Sequence, residues 1–234
     1  EQTYIDHEPI IITSDADFSV FSGSGTLEDP HVIEGLNITT SEKYGIFVSL
    51  TTKHFVIRDC YIDATNAGIT IEMIAEGTGV LINNICTRNE NSNGVGIQIA
   101  FSNKVGLRDN ICNDNEAHGI LLFFSYYTIL YRNTCNNNGM NGIVAAFANN
   151  SLFSDNVCNN NGWEGLYLAG SAESNLVSNI FSNNREYGIR MEYADNSALV
   201  NNTLEDNKAC GIYAWKTDGC LFNYNWFISN YYIA

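Results

Sequence analysis

Apolar and polar residues alternate in short runs along the whole chain. Ile120 and Leu122, Leu166 and Leu168, and Ile189 and Met191 each flank one outward position. That period of two belongs to strands, not helices. Clusters of Asn, Ser and Gly separate the runs and mark turns. The pattern also keeps register over long distances. A Gly followed by Ile or Leu falls at Gly45, Gly68, Gly96, Gly119, Gly142, Gly165, Gly188 and Gly211, in steps of 23, 28, 23, 23, 23, 23 and 23. The five extra residues lie between Ala75 and Gly94. Apolar columns share the 23-residue step: Leu107, Leu130, Phe153, Leu176, Leu199 and Phe222, and Ile120, Ile143, Leu166, Ile189 and Ile212. Two Asn columns do the same, Asn110, Asn133, Asn156, Asn179, Asn202 and Asn225, and Asn115, Asn138, Asn161, Asn184, Asn207 and Asn230.

A repeat of this length, filled by strands and turns, leaves no room for a crossover helix, and a leucine-rich consensus is absent. The pattern predicts an all-β solenoid, a single-stranded parallel β-helix with about three short strands per coil and ~4.8 Å between coils. Counting from Gly45 gives about eight coils and a rod roughly 35–40 Å long. Residues 36–234 form the helix and residues 1–35 an N-terminal cap, together one domain, with a short capped turn or strand expected over Ser14–Phe21 to cover the first coil. The Asn columns read as corners, amide bonded to amide along the axis, in a residue that tolerates left-handed backbone. At the other end Leu221, Phe222 and Phe227 belong to a coil with nothing comparable to cover it. The expectation is a further domain or a homo-oligomer, two copies meeting end to end about a two-fold axis.

The chain has 234 residues, 45% hydrophobic and 16% charged, with a net charge of −15. The apolar fraction fills a core and excludes disorder. The acidity argues against nucleic acid and anionic membrane surfaces as partners, and no apolar run approaches the ~18 residues of a membrane span. Glu1-Gln-Thr-Tyr-Ile-Asp lacks the features of a signal peptide, so a signal is removed or was never there. Of seven Cys, Cys86, Cys112, Cys135 and Cys158 share a column that continues as Phe181, Leu204 and Phe227. A position that accepts Phe or Leu faces the core, so these are expected as buried free thiols. Parallel side-chain directions oppose disulfides between coils. Without accompanying His or a CxxC pair, no metal site is expected.

Asn133-Thr-Cys-Asn-Asn-Asn-Gly-Met-Asn-Gly-Ile, Asn110-Ile-Cys-Asn-Asp-Asn-Glu-Ala-His-Gly-Ile and the opening Gly25-Thr-Leu-Glu-Asp-Pro-His-Val-Ile-Glu-Gly resemble repeats of NosD-like and related carbohydrate-binding or sugar-hydrolase (pectin-lyase-like) proteins. The resemblance spans residues ~25–234 and implies a right-handed helix, an extracellular or cell-surface location and a polysaccharide or glycan partner. Such repeats serve lyases, epimerases, hydrolases, a copper-site maturation factor and surface proteins, so fold alone assigns no chemistry. A lyase would imply Ca²⁺ with clustered Asp and a basic residue. Otherwise no cofactor is expected.

In pectin-lyase-like relatives the polysaccharide lies along an outer sheet face. The second and fourth residues after each Gly face outward here: Phe47, Thr70, Gln98, Leu121, Val144, Tyr167, Arg190 and Tyr213, and Ser49, Glu72, Ala100, Phe123, Ala146, Ala169, Glu192 and Trp215. Toward the C-terminal end the face gathers Tyr167, Arg190, Glu192, Tyr213 and Trp215, with Trp163, Glu164, Glu186 and Tyr187 on the adjoining corner. Aromatic rings suit sugar stacking, and acids and Arg bind hydroxyls or uronates. The competing reading is a subunit contact. For catalysis the weak candidates are Asp195, Asp218, Glu192 and Arg190. Asp195 and Asp218 share a column, yet Asp195-Asn196 and Asp218-Gly219 are also ordinary turn sequences. Asp109, Arg132 and Asp155 read as an exposed ion-pair ladder. Asp29-Pro30-His31 resembles the Asp-Pro-His element of alginate-type epimerases, but Val-Ile-Glu-Gly departs from that pattern, and His31 reads better as an aromatic substitute in the cap. His7, His31, His54 and His118 are scattered, which opposes copper. Sequons at Asn37, Asn149 and Asn201 are ordinary accidents of an Asn- and Ser-rich repeat. The expected function is a non-catalytic glycan-binding, partner-binding or structural module, with a carbohydrate-active enzyme (lyase, hydrolase or epimerase) as the alternative.

Overall fold

The computed structural model describes residues 3–231. Within them the chain coils as a parallel β-helix with three sheets along the rod. Sheet I has nine strands, from Ile10–Ile12 through Tyr44–Ser49 to Ile212–Trp215, and sheet II nine, from His31–Glu34 to Leu221–Asn223. Sheet III is split into a four-stranded part from Ile5–Asp6 to Ile85–Cys86 and a three-stranded part from Ile180–Ser182 to Trp226–Ile228. Ile111, Thr134 and Val157 bridge the two parts singly. The register places like on like, as in Ile120 beside Ile143 and Leu122 beside Ala145. The first coil begins inside the segment assigned to the cap, since Ile10–Ile12 pairs with sheet I and His31–Glu34 with sheet II. That is why nine turns appear where the Gly column counts eight.

The interior is one apolar cluster. Ile46, Ile69, Ile97, Ile120, Leu166 and Ile189 are fully buried, as are Cys86, Cys112, Cys135 and Cys158. All seven Cys are free, and burial pushes the thiols of Cys86, Cys112 and Cys135 well up, which makes them inert fillers. The Gly column follows from the same packing. A Cβ on Gly119 would lie 2.6 Å from the Gly142 carbonyl oxygen and 2.8 Å from the Cys135 Cβ. Coils approach too closely there for any side chain.

Both Asn columns are buried hydrogen-bond ladders. Asn133 donates from Nδ2 to Asn156 Oδ1 (3.0 Å) and to the Leu107 carbonyl (3.0 Å). Its own Oδ1 accepts from the backbone N and Nδ2 of Asn110, both at 3.0 Å. The ladders start one coil earlier than the 23-residue columns show, at Asn84 and Asn89. Those two lie 110 − 84 = 26 and 115 − 89 = 26 residues from their successors, across the irregular coil. Ser and Thr form lesser ladders at other corners, such as Ser102 N to Ser125 Oγ (3.3 Å) and Thr128 N to Ser151 Oγ (3.2 Å). One expectation needs correction. The left-handed residue is not the ladder Asn but its predecessor, as at Asp109 (φ 58°), Arg132 (54°) and Asp155 (56°). The ladder residue must aim its amide inward, so the residue before it makes the bend.

A 3₁₀ helix, Asp15–Val20, closes the N-terminal end. Its fully buried Phe18 stacks on His31 (4.9 Å, 3° between planes) and Phe55 (5.5 Å), so His31 sits in the aromatic cluster of the cap. Asp15 ties the cap to a coil by accepting from Thr51 Oγ1 (2.7 Å), Thr52 N (2.8 Å) and Thr52 Oγ1 (2.7 Å). Those bonds hold its carboxyl down at about 2. In the last described turn Leu221, Phe222, Trp226 and Phe227 are exposed.

Two outcomes follow from these bonds. Asn156→Ala orphans the Asn133 amide donors and the Leu130 carbonyl. It should lower stability in urea titration by about 3 kcal/mol, at ~1–3 kcal/mol per buried orphan, while the half-buried end residue Asn225→Ala costs less. A folded-state pKa below the ordinary carboxylate value adds stability above that value, lost as pH falls from about 4 to about 2. The melting temperature of Asp15→Asn should therefore lie a few degrees below wild type near neutrality and converge with it near pH 2; a gap that persists at low pH would exclude Asp15 as the acid-labile tie.

Candidate functional site

The site occupies the outer face of sheet I near its C-terminal end. Alternation turns Leu166, Leu168, Ile189, Met191 and Ile212 into the core, which leaves Tyr167, Arg190, Glu192, Tyr213 and Trp215 pointing out. Strand register sets them in rows: Tyr167 beside Arg190 beside Tyr213, and Ala169 beside Glu192 beside Trp215. The adjoining corner stacks Glu186 on Trp163, joined by Glu186 N to the Trp163 carbonyl at 3.0 Å.

Arg190 is the centre of this face. It donates from Nε (3.0 Å) and Nη2 (2.7 Å) to Glu192 Oε1, and from Nη1 to Glu164 Oε1 (3.3 Å). Its guanidinium lies 5.0 Å from the Tyr167 ring centre and 5.9 Å from that of Tyr213, and Tyr213 stacks with Tyr187 at 5.0 Å. Tyr167 Oη donates to Glu192 Oε2 at 2.8 Å. Burial, followed by the neighbouring Glu192, lifts the Tyr167 hydroxyl to about 12. Glu164 is 2% exposed. Burial raises its carboxyl despite the opposing pull of Arg190. Burial also pushes Glu192 upward, but bonds from Arg190 and Tyr167 outweigh it and the net shift is down. The two carboxyls on one guanidinium thus move in opposite directions. Trp163, Glu164, Glu186, Tyr187 and Arg190 line a cleft of about 300 Å³, at the lower end of the ~300–1,000 Å³ that small ligands occupy. Next along the face, Trp215 is 41% exposed, packs edge-on to Tyr193 (5.2 Å) and carries Lys216 4.3 Å from its ring centre.

Other sequence candidates lie elsewhere. Asp195 Oδ1 accepts the Asp218 backbone N–H at 2.8 Å, on a corner away from the Arg190 cleft. Arg132 pairs with Asp109 (2.8 and 2.9 Å), whereas Asp155 takes the Ser154 hydroxyl (2.7 Å), so the charge ladder is broken. The outward columns are also closed in places: Thr70, Ser49, Ala100 and Val144 are all buried, and the Thr70 hydroxyl finds no partner. Alternation gives the direction of a side chain but not what its neighbours cover. Two features escaped the sequence reading, the Tyr193–Lys216 contact (3.0 Å) and a corner stack of Phe101, Phe124 and Phe147 with centroids 5.6 and 4.7 Å apart. The second was visible as a 23-residue column. Among the described residues, no group of three His, Cys, Asp or Glu is placed to hold a metal, and no helix is long and apolar enough to cross a membrane.

Residues 74–227 match the family model of the right handed beta helix region. The chain belongs to that family. No curated protein sequence matches it. Solved structures similar to this right-handed β-helix include a double mutant of a periplasmic alginate epimerase (TM-score 0.73, 18% identity, 86% of this chain and 50% of that one). The A-module of a mannuronan C-5 epimerase from Azotobacter vinelandii gives 0.65 at 14% identity over 94% of this chain and 66% of that one. The Dettilon tailspike protein gives 0.65 at 13% identity over 96% and 55%. This chain thus spans between half and two thirds of each, and at these identities the likeness is one of fold.

Proposed function

We propose that this right-handed β-helix is a non-catalytic glycan-binding module of the cell surface or extracellular space, with the polysaccharide lying across the C-terminal part of sheet I. The observation that carries the reading is the Arg190 platform: Tyr167 and Tyr213 flank one guanidinium, with Tyr187 stacked on Tyr213, beside an open cleft. Rings fixed on strands offer flat apolar faces with polar edges, which is what a sugar ring presents in return. Similarity to epimerases of alginate and mannuronan, one of them periplasmic, and to a tailspike supports a polysaccharide partner and that location. Tyr213→Ala with Trp215→Ala should cut binding on a carbohydrate array at least tenfold, with the melting temperature unchanged. Equal binding by wild type and double variant would remove this face.

A second reading, a carbohydrate-active enzyme, draws on the opposed shifts of Glu164 and Glu192, the pattern of an acid beside a base. Against it, the Glu164 side chain is only 3% exposed and its carboxyl is engaged by Arg190. A screen of neutral and uronic polysaccharides for reducing ends and unsaturated products should show no turnover. Turnover that disappears in both Glu164→Gln and Glu192→Gln would establish the enzyme instead.

A further inference from the structure

Resting on the glycan-binding reading, we infer that the cleft selects an amino sugar, its ammonium seated between Glu186 and Trp163, and rejects uronates. Two carboxyl groups, Glu164 and Glu192, hold one cation, Arg190, and a third, Glu186, lines the same cleft. That cation is already engaged: its N–H groups serve Glu192 and Glu164, and its faces lie toward Tyr167 and Tyr213. A sugar carboxylate entering the cleft finds no cation without a partner of its own. Lys216 sits over Trp215 and bonds Tyr193, and Arg185 and Lys208 are absent from the cleft lining.

Glu186 is different from the other two acids. It is exposed, lines the cleft, and forms no ion pair among the described residues. One coil away in the same corner column stands Trp163, 49% exposed, and coils lie ~4.8 Å apart. A carboxylate next to an open indole face recognises an ammonium group twice, by charge and by cation–π attraction. Tyr187, lining the same cleft, supplies a ring against which the rest of the sugar can stack. The net charge of −15 acts the same way at longer range, slowing the approach of a polyanion.

The test is a calorimetric titration of the full chain with three hexasaccharides near pH 6: glucosamine, N-acetylglucosamine and mannuronate. The glucosamine oligomer should bind about tenfold tighter than its acetylated counterpart, and the mannuronate oligomer weakest of all. In Glu186→Gln the two amino-sugar oligomers should bind alike. In Glu28→Gln, an equal loss of charge near the capped N-terminal end, the preference should persist. Mannuronate binding tightest would overturn the selectivity and leave glycan binding standing. A preference that survives Glu186→Gln would assign it to the overall field and overturn the seat. No binding by any of the three would overturn the selectivity and the glycan-binding reading together.

Discussion

Everything in this molecule depends on coil-to-coil register, and the buried Asn ladders fix it. Each interior ladder residue satisfies its whole amide by reaching one coil forward and another back, as Asn156 does to Asn179 (3.0 Å) and to the Leu130 carbonyl (2.9 Å). A coil displaced by one residue would orphan those groups in the dry interior and turn its apolar side chains outward. With register fixed, each column becomes a single environment. The Gly column exists because a Cβ would strike the next coil, and the side chains lying against those glycines, Cys in four coils and Phe or Leu in the later ones, are all apolar fillers. Freedom of residue type is left to outward positions and exposed corners, so function has to be sought there.

The Arg190 cluster shows how such a position acquires chemistry on a rigid support. Its members come from three successive coils, and the spacing between them is set by backbone pairing rather than by their own contacts. The platform is thus organised before any ligand arrives, which lowers the cost of ordering it on binding. A nearly buried Glu164 paired with a partly exposed Arg190 adds little to stability, because desolvation offsets the attraction. Its consequence is orientation, since losing Arg190 would leave Glu164 buried without its partner. Glu164 is thereby a positioning residue for the cation that divides the tyrosines.

Much of this was legible in the sequence because a repeat samples each environment many times. Strand identity, the Gly and Asn columns, and the aromatic gathering at Tyr167, Arg190 and Tyr213 could all be read from a 23-residue step. What escaped has physical reasons. Asn84 and Asn89 fell out of step because the coil that follows is three residues longer at those columns. The left-handed bend was assigned to Asn on conformational grounds, whereas the ladder residue is held by its amide and the bend falls on a neighbour. That neighbour is most often Asn or Asp, which tolerate the left-handed region, but Arg, Ser and Tyr also hold it, so its column is less uniform than the ladder beside it. The buried Thr70 lies outside the reach of periodicity, because cover by adjacent side chains is a property of neighbouring coils and not of alternation.

The corners bear on how sites are recognised in such a fold. Leu50, Met73, Phe101, Phe124, Phe147 and Tyr193 all hold φ between 47° and 53°, a conformation that costs a bulky residue roughly 1–2 kcal/mol. In a globular enzyme one such residue would point to a functional site. Here it recurs coil after coil, Gly170 taking the same bend (φ 60°), so the strain belongs to the architecture and is balanced by stacking such as that of Phe124 on Phe147 (4.7 Å). The informative signal is departure from a column. Glu164 shares its column with Asn141, Tyr187 and Cys210, and Arg190 follows Leu121, Val144 and Tyr167 and precedes Tyr213. Neither charge is required by the coil that holds it, and each is matched by the other. A pair of charges that the repeat does not need, joined across coils under a ring of tyrosines, is what sets this stretch of the rod apart from a scaffold that otherwise only repeats.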